Sequence, residues 1–460
     1  MVKISFNLFI LILFFSLNGL VLLDPEQIIF SFQMFRHGAR GPYLGVENGK
    51  DKYKESWTMP EQLTDMGRRM LYLLGVKFRK RYNNFLSKQY SPQEIYIRST
   101  DTNRTIESVY SFLQGLYPEG PEIKEKVRNA KDIIYPPNIK YKEDFDYILN
   151  KYGISNTGVA LPHNINIAPI HLINRADREF DLQNQDLCPA RAKILNESYQ
   201  SDLITNLAND ILEKTGNLFK ELEPSDDSSF LKYYWNLLKY MDGFYCDDFD
   251  MRDFSFIKNK YDENMINLLR NYSKRFSDIN YFDINFPKND ENVSLATMSQ
   301  TMGYILGWMN DAKNKTESQI KSYLKYVIYS AHDLNIANLD HFMNIIFNTS
   351  IEQCDFACTR IFELYKLNNE YYVRYFKDET NLKLNITYNE FISNINKNIW
   401  DKNQTEEYCK VVVEDNNDDK DEIEYYEDKK SAAYYSMIVL IIVDMLLIMF
   451  IIAFYKTKKL

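Results

Sequence analysis

Three short stretches carry groups suited to handling a small anion. The first is Arg36-His37-Gly38-Ala39-Arg40, an imidazole between two guanidinium groups. Guanidinium is a planar, permanently charged fork that matches phosphate oxygens. Gly38 lets the backbone turn tightly beside the ring. The second stretch is Arg98-Ser99-Thr100-Asp101 and the third is Ala331-His332-Asp333. An imidazole can attack an electrophile, and a carboxyl group can move a proton. Each piece alone says little. An Arg-His pair is commonly a surface or capping feature, a His-Asp pair a turn, and a lone arginine the partner of a carboxylate. Their weight depends on where the fold puts them.

The apolar pattern answers that. A strand-like run over 27–35 ends at Arg36, a short β-branched run over 94–97 enters Arg98, and a buried-type run over 326–330 ends at Ala331-His332-Asp333. Between the first two, 64–82 reads as a helix with Thr64 as cap and Met70, Leu71, Leu74 and Phe78 on one face. Asp101 is placed to cap a second helix carrying Ile106, Val109, Tyr110 and Leu113. Segments 360–365 and 371–376 form a hairpin turned at Asn368-Asn369. The middle of the chain is helical with few strands. The pattern predicts an α/β fold: a mostly parallel sheet flanked by helices (20–139 and 315–410), with an α-rich cap inserted at 140–314. All three charged clusters then lie at C-terminal strand ends, where open α/β sheets bind ligands. Three arginines and two imidazoles make a positive pocket that suits a phosphate dianion.

That pocket would be a local inversion, because 55 Lys and Arg stand against 64 Asp and Glu, a net charge of -9. Such a balance argues against a nucleic-acid partner. The ends read as topology signals. Lys3 and the apolar run after it fit a secretory signal over 1–19. The run 432–454 is long enough to cross a bilayer as a helix despite Asp444, and Lys456, Lys458 and Lys459 follow it in the tail 455–460. The acidic segment 411–431 reads as a solvated stalk. The expectation is a single-pass type I membrane protein with its bulk lumenal or extracellular, in a lysosomal, endosomal or cell-surface membrane. The five cysteines, Cys188, Cys246, Cys354, Cys358 and Cys409, would then lie in an oxidising compartment, with one thiol left over. Cys354 and Cys358 lack a second Cys or His pair nearby, so no metal site is expected. Asn-x-Ser/Thr sequons occur at Asn103, Asn196, Asn271, Asn292, Asn314, Asn348, Asn385 and Asn403.

With these residues in hand, the sequence resembles the histidine acid phosphatases, closest to the prostatic and lysosomal type. The family's Arg-His-Gly-x-Arg signature stands at Arg36, His37, Gly38 and Arg40. Residues 62–82 are similar to its first helix, Ile95 to Asp101 to its second block, and Ser330-Ala331-His332-Asp333 to its third. The likeness is good over about 27–120 and 326–376 and patchy between. Ala39 and Leu334 depart from residues the family often carries there, which bears on substrate choice. The resemblance implies His37 as a nucleophile forming a phosphohistidine, Arg36, Arg40, Arg98 and His332 as phosphate contacts, and Asp333 as general acid. It implies a small phosphate monoester as substrate and no cofactor or metal, and it admits a homodimer. It also implies disulfides Cys188–Cys409 and Cys246–Cys358, leaving Cys354 free, and brings His171 toward the pocket. His163 and His341 read as structural. Alternatives are a lysophosphatidate or inositol-phosphate phosphatase on the same chemistry, and a catalytically silent surface glycoprotein.

Overall fold

Strand β1 (Gln27–Arg36) has the sequence QIIFSFQMFR, and its last eight residues are buried. A strand so uniformly buried has cover on both faces. The computed structural model describes residues 26–42, 60–120, 165–173, 181–182, 188–215, 218–219, 234–251, 261–284 and 292–410. The strands that join β1 are β2 (Ile95–Ser99), β3 (His171–Leu172), β4 (Tyr326–Ala331), β5 (Thr359–Leu367), β6 (Glu370–Lys377) and β7 (Asn381–Thr387). They form one sheet in the order β3-β2-β4-β1-β5-β6-β7.

The pairs β3/β2, β2/β4 and β4/β1 are parallel, while β1/β5, β5/β6 and β6/β7 are antiparallel. The expectation of a mostly parallel sheet is therefore corrected to a mixed one. The reason lies in the hairpin: Asn368 and Asn369 have φ of 48° and 67°. Two successive left-handed residues make the tight turn that matches strand twist. Such a short link can join only antiparallel neighbours.

One face is covered by α1 (Asp65–Arg81) and α2 (Asn103–Leu116). Their Leu71, Leu74, Phe78, Val109 and Phe112 pack with Phe35, Ile97, Ile328 and Ile361 of the sheet. Thr64 caps α1, its hydroxyl accepting from the Gly67 amide at 3.0 Å. The N-cap of α2 is Thr102 rather than the expected Asp101, because Thr102 is the last residue with extended backbone before the helix.

Among the described residues, four helices lie between β3 and β4 in sequence without joining the sheet's main core: α3 (Pro189–Tyr199), α4 (Asp202–Thr215), α5 (Tyr234–Phe249) and α6 (Glu263–Ile279). Ile204, Leu207, Leu237, Phe244, Leu269 and Phe276 build a separate core among α4, α5 and α6, which also takes in Ala39 and Phe356. These helices fall within 140–314, the segment expected to form an α-rich cap, but that segment also holds elements that pack with the sheet. Helix α7 (Asn292–Glu317) starts inside 140–314, yet Val293, Met302, Ile305 and Met309 pack with Phe32, Met34, Val327 and Tyr329. Burial against the sheet, not position in the sequence, assigns α7 to the sheet's second face beside α8 (Asp333–Phe347). Strand β3 also falls within the predicted cap and joins the sheet edge through Arg98↔His171. The chain closes with α9 (Tyr388–Asn398) and α10 (Lys402–Cys409).

Cys188 and Cys409 form a disulfide with Cα atoms 4.6 Å apart. The other expected pair is corrected. Cys358 bonds Cys354, four residues away, and Cys246 is the free, buried thiol. Its sulfur instead accepts from Arg40 Nη1 at 3.3 Å. The signal, stalk, membrane span, tail and His163 lie outside the described residues. Among the described residues no helix is long and apolar enough to cross a membrane.

Candidate active site

The end of β1 is pressed against the start of α1. A Cβ added to Gly38 would stand 2.3 Å from the Gly67 carbonyl oxygen, and one added to Gly67 would stand 2.1 Å from that of Ala39. Both positions need glycine, and their contact fixes where His37 leaves the strand. The Gly38 amide donates to Ser108 Oγ at 3.1 Å, tying the same turn to α2.

His37 is buried, with Nδ1 2.8 Å from the Gly38 carbonyl oxygen. A carbonyl only accepts, so Nδ1 carries the proton and Nε2 keeps its lone pair. Arg104 Nε donates to that Nε2 at 3.2 Å. Burial, then the charge of Arg104 and the neighbours His332, Arg36 and Arg40, hold the His37 pKa well below the usual histidine value. Burial and these charges thus favour the neutral form of the ring. The His332 ring lies 5.5 Å away, centre to centre. Its Nδ1 is 3.4 Å from Arg104 Nη2 and its Nε2 3.0 Å from Thr100 Oγ1. Burial and Arg104 lower its pKa to about 3.

Three guanidinium groups surround these rings, and each has a carboxylate partner from a different part of the chain. Arg36 Nη2 meets Asp333 Oδ2 at 2.8 Å, while its Nη1 donates to the Tyr245 hydroxyl and the Cys354 carbonyl. Its guanidinium also lies over the Phe356 ring at 4.3 Å. Arg40 grips Asp242 of α5 through two bonds of 3.0 and 2.9 Å. Arg104 meets Glu61 at 3.2 Å. Burial would raise the Asp333 pKa, but Arg36, Arg40 and His332 outweigh it and keep the carboxyl ionised below its ordinary range. Asp333 begins α8, where the helix N-terminus also favours negative charge.

Arg36, His37, Arg40, His332 and Asp333 thus converge on one cavity of about 460 Å³. Arg98 does not line it. It bonds Asp181 at 2.5 Å, and Asp181 also accepts from Tyr329 and Thr301. The reason is strand parity. Ile95, Ile97 and Ser99 of β2 are buried in alternation with Tyr96 and Arg98, so Arg98 shares a face with Tyr96 and not with the crevice. Arg104, in the first turn of α2, takes the place expected of Arg98. A helix that starts just after a parallel strand aims its N-terminal residues at the ligand crevice, and that signal singles out Arg104. Glu61, Asp242 and Tyr245 also line the cavity and carried no motif. His171 stands outside it, stacked on Tyr96 at 4.7 Å. His341 is likewise outside, its pKa lowered by burial to about 4. Among the described residues, no group of His, Cys, Asp and Glu side chains is arranged to hold a metal ion.

The family described as histidine phosphatase superfamily (branch 2) matches residues 27–377. A lysosomal acid phosphatase of Xenopus laevis is 27% identical, over 81% of this chain and 74% of that protein. Human (Homo sapiens) prostatic acid phosphatase is 27% identical, over 81% of this chain and 82% of that protein. A Klebsiella sp ASR1 phytase crystal structure superposes with a TM-score of 0.49 and 13% identity, covering 84% of this chain and 98% of that one.

Proposed function

From the premise that this chain belongs to the histidine phosphatase superfamily (branch 2), we propose that it hydrolyses phosphate monoesters through a phosphohistidine on His37, with an acid optimum. The observation that carries this reading is the His37 ring itself: Nδ1 tied to the Gly38 carbonyl, Nε2 left as a lone pair, and guanidinium groups on either side. Arg36, Arg40 and Arg104 bind the phosphoryl oxygens. The arriving dianion competes with Asp333 for Arg36 and with His37 for Arg104, so substrate binding unmasks both groups. Parted from Arg36, the Asp333 carboxyl rises in pKa and takes up a proton at acid pH. His37 Nε2 then bonds phosphorus as the P–O bond breaks, and Asp333 gives its proton to the leaving oxygen. Water next attacks phosphorus, returns a proton to Asp333, and the N–P bond breaks to release phosphate. The three guanidiniums stabilise the equatorial oxygens in both steps.

The same proposal places the enzyme outside the cytosol. The apolar run 432–454 anchors it and the leader at 1–19 directs export. The Cys188–Cys409 disulfide supports an oxidising compartment.

The test is direct. The full chain should hydrolyse p-nitrophenyl phosphate at acid pH and trap acid-labile phosphate on rapid quenching. His37→Ala should lose on the order of 10⁴–10⁶ in kcat, the scale for removing a nucleophile, and trap none. Labelled phosphate on His37→Ala, in wild-type amount, would move the nucleophile elsewhere.

A further inference from the structure

Glu61 sits at the mouth of the cavity with φ of 60°, a left-handed backbone that residues with side chains rarely adopt. It is held there by its own backbone, since its amide donates to the Pro42 carbonyl at 3.1 Å and the Gly41 amide donates to the Gln62 carbonyl at 3.0 Å. This short ladder runs beside the Arg40↔Leu63 bridge and carries the Glu61 side chain inward to Arg104. Its side chain is 38% exposed, so this carboxylate faces both the arginine and incoming solute.

The charges around the cavity are closely balanced. Among its described lining residues, Arg36, Arg40, Arg104 and Arg191 face Glu61, Asp242 and Asp333. One phosphoryl group can exchange with Asp333 and Glu61 for the arginines. A second or third phosphate on the same substrate would meet carboxylate, not guanidinium. Among the described residues, the wall built by α3 and α5 offers such groups one cation, Arg191, which is 2% exposed. The uncharged rest of that wall is apolar or aromatic, with Leu195, Tyr199, Tyr234, Trp235 and Leu238. Tyr199 and Tyr234 stack at 4.1 Å, and Trp235 packs edge-on to both while 51% exposed.

We propose that Glu61 is a specificity-determining residue: with the aromatic wall, it selects esters bearing one phosphoryl group on an uncharged, largely apolar or aromatic alcohol, and rejects polyphosphorylated ones. This rests on the phosphatase reading of the same cavity. Glu61 acts twice, by holding Arg104 in place and by repelling negative charge on the leaving group.

Binding on the full chain tests this apart from turnover. Phenylphosphonate carries one dianion on an aromatic ring, and myo-inositol hexasulfate is a polyanion that resists hydrolysis. Calorimetry should show wild type binding phenylphosphonate the more tightly. Glu61→Gln should shift the ratio of the two Kd values toward the hexasulfate by about tenfold, or about 1.4 kcal/mol. Glu61→Gly, which suits the left-handed backbone and keeps the fold, should shift it the same way. Glu61→Asp, which keeps the charge, should leave the order as in wild type. A ratio unchanged in both Glu61→Gln and Glu61→Gly, or a wild type that prefers the hexasulfate, overturns the assignment. The same samples are assayed on p-nitrophenyl phosphate. Shifted ratios without any hydrolysis would sink the phosphatase reading and leave Glu61 as a charge filter. Hydrolysis with unshifted ratios would sink only the filter.

Discussion

Helix α8 carries two aspartates on one side, Asp333 in its first turn and Asp340 about two turns later. Both are paired with arginine, and their surroundings are opposite. Asp340 is fully buried. It takes Arg360 Nε and Nη2 at 2.7 and 2.8 Å, the Tyr375 and Tyr281 hydroxyls at 2.9 and 3.2 Å, and Lys377 Nζ at 3.2 Å. Every lone pair is used and no solvent competes. Asp333 has one guanidinium, Arg36, and a side chain 34% exposed to the cavity. Its partner can be taken away by an anion. A sealed ion cluster specifies structure, because breaking it strands charge. An ion pair open on one side can exchange partners, and the proposed chemistry needs that exchange.

The contrast can be broken from either end. The largest effect is expected at the sealed site. Asp340→Ala leaves Arg360 and Lys377 buried without their carboxylate and should cost about 3–5 kcal/mol of stability. Chemical denaturation measures it, and activity should fall only with the folded fraction. A stability loss under about 1 kcal/mol would show that water or Glu352 replaces the carboxylate.

Asp333→Asn should do the reverse. Stability should stay near wild type, because Asn still offers Arg36 an acceptor. For an alkyl phosphate, the first chemical step should slow by about 10²–10⁴-fold, the usual scale of general acid catalysis. For p-nitrophenyl phosphate the loss should be clearly smaller, since nitrophenolate leaves without a proton. Single-turnover rates on both substrates decide it. Equal losses would reduce Asp333 to a positioning role beside Arg36.

Arg98 of the second motif and Arg104, just beyond it in α2, sharpen the comparison further. Arg104→Ala should lower kcat/KM by about 10²–10³-fold, as for a lost oxyanion donor. Arg98→Ala should leave the chemistry close to wild type and cost about 1–3 kcal/mol of stability, the cost of leaving a buried carboxylate short of donors. The pH profile gives the smallest and most specific signal. The nucleophile must be neutral, and a depressed His37 pKa keeps it neutral below the ordinary value of 6.5. Wild-type kcat/KM should therefore not fall as pH drops from about 7 to 5. In Arg104→Ala one of the causes of that depression is gone, so the acid limb should move up toward the ordinary value. An acid limb in the same place in both proteins would mean that burial and the other neighbours, not Arg104, set the His37 pKa.

Much of this was legible in the residues. Largely apolar runs over 27–35 and 326–330 place β1 and β4, because a strand covered on both faces is mostly apolar. His37 and Asp333 follow from those runs, since each lies just past a strand end. The twin asparagines after β5 place the hairpin, because few residues tolerate positive φ in succession. These are local rules, carried by covalent geometry and side-chain period. Strand β7 escaped that reading, because its burial is partial and its alternation weak.

What the tertiary structure decided is which charge meets which. The choice of Arg104 over Arg98 depends on strand parity and on the axis of α2 relative to His37. The partnership of Arg40 with Asp242 joins residues 202 positions apart, and that of Arg36 with Asp333 joins residues brought side by side by the parallel pairing of β1 and β4. Cys246 lost its expected disulfide because Cys358 lies within reach of Cys354, while Cys246 faces Arg40. Coulomb energy depends on distance and on the medium between charges. Sequence fixes the charges themselves, but folding alone fixes the distances and shuts out the water.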